Sequence, residues 1–104
     1  MKRTNLSEMT VEQLVRRFTE IALEQDKAIL MDDNAKFNRL YLQMKAAEEE
    51  LKSRAGDQRR ALLPLYRHSN LQVRLKAAIA TLAAVPEQAR DELQAISASR
   101  STGR

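Results

Sequence analysis

Apolar residues along this chain recur at steps of three and four, the spacing of one face of an α-helix. The first ten residues lack that period and read as an arm, after which Thr10 and Gln13 have the spacing of a capping box. Val11, Leu14, Val15, Phe18, Ile21, Ala22, Ala28 and Ile29 then form one stripe that ends near Met31. Asp32-Asp33-Asn34 stops this helix and caps the next, which carries Phe37, Leu40, Tyr41, Met44, Ala47 and Leu51. Arg54-Ala55-Gly56 ends the second helix, with Gly56 free to take the left-handed conformation. Each helix would be roughly 30 Å long at about 1.5 Å per residue. A connection this short folds the two into an antiparallel hairpin.

The second half reads as helix, tight turn, helix, proline start, helix. Asp57 caps a third helix with Ala61, Leu62, Leu65 and Tyr66, and Pro64 inside it predicts a kink because the bond to the Arg60 carbonyl is lost. His68-Ser69-Asn70 forms a turn, with Asn70 capping a fourth helix. On a helical wheel Leu71, Leu75, Ala78 and Leu82 share one side of that helix, and Val73, Ala77, Ala80 and Ala84 share the opposite side. A helix that must bury both sides is the middle layer of a stack, the arrangement of helical-repeat proteins. The bulky side is expected to fill a core layer, so that Leu82→Ala costs ~2–5 kcal/mol. The small side permits close helix approach. Pro86 suits the first turn of a fifth helix with the stripe Ala89, Leu93 and Ile96. The reading is an all-α domain over residues 1–98, a HEAT-like α-α superhelix of about five helices: two antiparallel hairpins and a terminal helix. A mobile polar tail follows at 99–104.

Composition narrows the class further. Hydrophobic residues make up 43% of the 104 and charged residues 31%, with two Gly, two Pro and no Trp, which suits a compact helical protein with an aliphatic core. The absence of Cys excludes disulfides, thiolate metal sites and thiol nucleophiles. No apolar run approaches a membrane span and the basic start is followed by polar residues, so a cytoplasmic protein with no membrane partner is expected. Net charge is +4, and it is uneven: residues 1–54 carry 10 basic and 10 acidic side chains, residues 55–104 carry 8 and 4. The basic half could indicate nucleic acid or an acidic partner; a mixed solvated surface is the simpler account.

Two stretches carry a resemblance. LYRHSNLQVRLKAAIATLAA at 65–84 resembles a HEAT-like repeat unit: a helix end, a short polar turn, then Val73-Arg74 and Ala77-Ala78 opening the second helix. Together with LVRRFTEIALEQDKAILMDDNAKFNRLYLQMKAAEEELKSR at 14–54, it resembles the small bacterial domain-of-unknown-function family numbered two-thousand-and-nineteen, over roughly residues 5–98. The resemblance implies a fold and supplies no catalytic residues or cofactor.

Chemistry finds little purchase. His68 is the sole histidine and sits in a turn, where capping or solvating a helix end accounts for it better than general base catalysis. Asp26, Asp32 and Asp33 lack the alternating oxygens and glycine of a calcium loop, and capping explains the last two. Glu48 and Glu50 precede Lys52 and Arg54 by four residues, the favourable order for ion pairs on a solvated face. Neither glycine belongs to a phosphate loop. Catalytic, cofactor-binding and metal-ligating residues are therefore all assigned as none, and the chain is read as no enzyme.

What remains is surface. Leu23 and Leu30, seven residues apart, and Leu42 depart from the stripes of their helices, and together would make an apolar patch for a partner or a second copy of the chain, unless the third helix or the arm covers them. Lys36, Arg39, Gln43 and Lys45 fill the polar sectors of the second helix, the kind of inner helix that lines a groove in repeat folds. Asn70 and Arg74 are expected to serve the turn and the stack, with Arg74 bonded to Asn70 and carbonyls near His68. The expected function is non-catalytic protein binding, as an adaptor, regulator or antagonist. The rival is nucleic-acid binding through the basic second half.

Overall fold

The computed structural model describes residues 5–102, and the side chains of 100–102 lie outside the description. The expectations for residues 1–4 of the arm and 103–104 of the tail fall outside the described residues. Among those described, four α-helices carry the fold: α1 (Val11–Leu30), α2 (Asn34–Ser53), α3 (Leu71–Thr81) and α4 (Pro86–Thr102). Two 3₁₀ segments, Leu6–Glu8 and Gln58–Arg67, complete it. The chain is all-α. Its extents of 45 × 34 × 18 Å describe a slab about two helices thick, given a helix diameter of roughly 10 Å. No described helix is long and apolar enough to cross a membrane.

The capping box opens α1: the Thr10 hydroxyl accepts from the Gln13 N–H at 3.0 Å and the Gln13 side chain accepts from the Thr10 N–H at 2.8 Å. At the other end the Asp33 N–H reaches the Ala28 carbonyl at 2.8 Å and the Asp32 N–H the Ile29 carbonyl at 3.1 Å. That pair of bonds is a Schellman motif, with Asp32 at φ 56° in the place where glycine is usual. Asp33 then caps α2 by accepting from the Lys36 N–H. One aspartate thus closes α1 and opens α2, and the hairpin follows. Gly56 adopts φ 79°, and a Cβ there would meet only the tip of Gln58, so backbone conformation rather than space calls for glycine.

The segment expected as a kinked α-helix is 3₁₀ over its whole length, Gln58–Arg67. Pro64 offers no N–H and its ring would press on the Arg60 carbonyl, so α-geometry fails around it. The 3₁₀ period of three lines up Arg59, Leu62 and Leu65. Leu62 is fully buried, Arg59 nearly so and Leu65 packs on the core, which offsets the poorer hydrogen bonds of this form. Asp57, at φ 54°, starts the segment and holds Arg59 through bonds of 2.9 Å to Nε and 2.6 Å to Nη2.

The core joins Leu14, Phe18 and Ile21 of α1, Leu40, Met44 and Leu51 of α2, Leu62, and Val73, Ala77 and Ala80 of α3. Helix α3 is the middle layer, packed on the 3₁₀ segment and α1 on one side and α4 on another. Its orientation reverses the expectation from residue size. Val73, Ala77 and Ala80 face the core, and of the bulky side only Ala78 is fully buried: Leu71 and Leu82 are each 38% exposed, and Ile79 next to them 50%. The helix also ends at Thr81, leaving Leu82 as its C-cap. Ile29, expected in the α1 stripe, is likewise exposed, and Gln25 is buried in that stripe. Helix α4 buries Ala89 and Ile96 and continues through Thr102, into the stretch read as a tail.

Two outcomes follow. Leu62→Ala should lower the unfolding free energy by about 2–5 kcal/mol, while Leu82→Ala should cost no more than about 1.5 kcal/mol, as paired thermal melts would show. The Arg59 side chain, hydrogen-bonded to the Asp57 carboxyl, holds its pKa down at about 2 against an ordinary 3.8. The folded state therefore favours the ionised form, and this contribution is complete above about pH 4 and is lost as pH falls toward 2. Urea unfolding from pH 5 to pH 2 should show a steeper loss for the wild type than for Asp57→Asn, which keeps a side chain suited to positive φ.

Candidate partner-binding surface

Helix α3 meets α1 along a polar seam. Gln25 is fully buried, and its Oε1 accepts from Gln72 Nε2 at 3.2 Å. Its own Nε2 finds no partner. One residue on, Asp26 Oδ2 accepts from Asn70 Nδ2 at 3.0 Å. Asn70 also caps α3, its Oδ1 accepting from the Val73 N–H at 3.1 Å, while its backbone N–H donates to His68 Nδ1 at 2.9 Å. The turn is thereby built from three side chains, one of them on α1.

Two open depressions meet at Asp26. One is lined by Asp26, Leu71, Gln72, Leu75 and Ile96. The other lies along α1, where Leu23 packs half-buried among Glu20, Glu24, Lys27 and Asn70. The three leucines expected as one patch thus differ in setting. Leu23 lines a depression beside Asn70, whereas Leu30 at the hairpin tip is 79% exposed and Leu42 on α2 is 68% exposed. Ile29 and Met31 add to the apolar tip.

The charged candidates on α2 are partly engaged. Lys36 pairs with Glu24 at 3.2 Å, and Lys27 pairs with the same carboxylate at 3.4 Å. Lys36 and then Lys27 hold the Glu24 carboxyl below its usual range. Lys45 pairs with Glu48 at 3.7 Å, so Glu48 turns to Lys45 rather than Lys52. Arg39 and Gln43 are exposed and make no hydrogen bond or ion pair among the described residues.

The Arg74 backbone N–H donates to the Asn70 carbonyl at 3.2 Å, but its side chain bonds neither Asn70 nor the turn. Its Nε donates to Glu92 Oε2 at 2.7 Å, with both side chains largely covered, and so ties α3 to α4. Arg54 is a tie that the sequence concealed. Beyond its pair with Glu50 at 2.8 Å, its Nη2 donates to the carbonyls of Leu6 at 3.0 Å and Met9 at 2.8 Å, fastening the N-terminal turn to the end of α2. Lys76 sits 5.6 Å from the centre of the Phe37 ring, and burial lowers its pKa. Among the described residues no three His, Asp or Glu side chains gather as a metal site.

The family model described as Domain of unknown function (DUF2019) matches residues 12–103, and the chain belongs to that family. Its fold is similar to the crystal structure of the protein RPA1889 from Rhodopseudomonas palustris CGA009, at a TM-score of 0.91 and 46% identity, over 94% of this chain and 81% of that one. No curated protein matches.

The Arg74 tie carries its own test. Arg74→Ala should lower the unfolding free energy by about 1–2 kcal/mol, allowing for partial exposure of the pair. A double-mutant cycle with Glu92→Ala should return a coupling near 1 kcal/mol.

Proposed function

We propose that this chain is a non-catalytic protein-binding module of the cytoplasm, an adaptor, regulator or antagonist built as a short HEAT-like stack. One observation carries the reading: α3 buries Val73, Ala77, Ala78 and Ala80, and its large apolar side chains Leu71, Leu75, Ile79 and Leu82 stay partly exposed. A row of apolar side chains along about three helical turns is a face that a further layer would cover. The exposed hairpin tip at Leu30 and Met31 is a second apolar feature.

Charge pairing favours this over nucleic-acid binding. Of the cations in the second half, Arg59 is held by Asp57 and Arg74 by Glu92, and Lys76 lies over Phe37, which leaves Arg60 and Arg67 of the 3₁₀ segment and Arg90 of α4 exposed. A duplex-binding surface draws its affinity from several cations reaching phosphates together.

Affinity capture from nuclease-treated native lysate, with the wild type beside Ile79→Glu/Leu82→Glu, tests the proposal. A protein retained by the wild type and lost from the variant, with helicity unchanged, is expected. Equal retention by both would remove the α3 face from the reading. Retention of nucleic acid alone before nuclease treatment would move the rival reading forward.

A further inference from the structure

We propose that the partner seated on α3 presents a basic amphipathic helix, its leucine-like side chains on the open α3 face and a lysine or arginine at Asp26. The inference rests on the module reading above and adds the chemistry of the partner.

The open face does not end at α3. Leu71 and Leu75 also line the depression that Asp26 and Gln72 border, with buried Ile96 beside them. The apolar row therefore runs into a half-enclosed place with a carboxylate at its edge. Every polar atom known to be spoken for there leaves an acceptor behind. Asp26 uses Oδ2 for the neutral Asn70 amide, and Gln72 uses Nε2 for Gln25. Asp26 Oδ1 and Gln72 Oε1 remain, and both are acceptors.

Among the described residues no cation pairs with Asp26. The two lysines nearest in sequence or in partnership, Lys27 and Lys36, are both paired with Glu24. On α3 itself Arg74 is bonded to Glu92 and Lys76 is turned to the Phe37 ring. A half-buried carboxylate with one neutral donor, at the end of an apolar face, is complementary to an ammonium or guanidinium carried next to aliphatic side chains. An acidic amphipathic helix would set like charges together at that point. The row from Leu71 to Leu82 spans about 16 Å at roughly 1.5 Å per residue, room for three turns of a partner helix.

The test uses two labelled helical peptides of about 14 residues with leucines at the 3.6-residue period, one with lysine and one with glutamate on the polar face. Anisotropy titrations of the full chain should show the lysine peptide binding at least about tenfold more tightly. Backbone amide shifts should change along α3 and at Asp26. Asp26→Asn keeps the acceptor for Asn70 and removes the charge, so it should weaken the lysine peptide about tenfold and leave the glutamate peptide unchanged. Equal binding of the two peptides, no binding of the lysine peptide, or an unaffected Asp26→Asn variant would overturn the inference. The same variant in the lysate capture separates the two levels. Retention unchanged by Asp26→Asn but lost in Ile79→Glu/Leu82→Glu would overturn the basic partner and leave the module standing.

Discussion

The approach of α3 to α1 and to the 3₁₀ segment is the constraint on which the slab depends. Val73, Ala77 and Ala80 face the core, so backbones can draw close, and Thr81 at the end of that row adds a polar stitch. Its hydroxyl meets the Tyr66 hydroxyl at 2.6 Å and donates to the Ala77 carbonyl at 2.8 Å. Ala78 and Ala89, both fully buried, show that small side chains recur beyond the core face of α3. Once the small side chains are committed inward, the helical period sends Leu71, Leu75 and Ile79 to the other side. The open face is therefore a consequence of the packing and not a separate feature.

Long-range polar ties then hold the layers in register and decide which charges stay available. Arg54 fixes the N-terminal turn, Glu24 takes Lys36 across the α1–α2 hairpin as well as Lys27 of its own helix, and Arg74 joins α3 to α4. Each of these consumes a charge. The net charge of +4 says little about any one surface after this pairing, because several of the basic residues face an acid within the fold. Asp26, held by a neutral amide, lies outside these pairings.

Much of the fold was legible because its signals are local. The Thr10–Gln13 box, the aspartate turn, Gly56 and the Asn70 cap each depend on residues within a few positions of one another. The stripes of α1 and α2 match the buried faces except at Ile29 and Tyr41, which are exposed. What failed was orientation. A helical wheel locates two apolar sides of α3 but does not say which is nearer the core, and size is a poor guide where close approach needs alanine. The proline segment failed for a related reason: loss of one donor predicts a kink if the rest stays α, but here the three-residue period of Arg59, Leu62 and Leu65 made 3₁₀ the form that buries its own side chains.

The candidate site was less legible, since it is made by pairs far apart in sequence. Asp26 and Asn70 are 44 residues apart, Gln25 and Gln72 are 47, and Arg54 reaches carbonyls 45 and 48 residues away. One local signal did point there. Gln25 falls four residues after Ile21 and three before Ala28, at the angle of a buried residue, so the wheel places a polar amide in the core. A buried amide requires a partner from another element, and the amide-rich start of α3, with Asn70 and Gln72, is where the sequence offers one. Following that requirement leads from α1 to the turn before α3, and so to Asp26, whose neighbour on the helix is the buried amide itself.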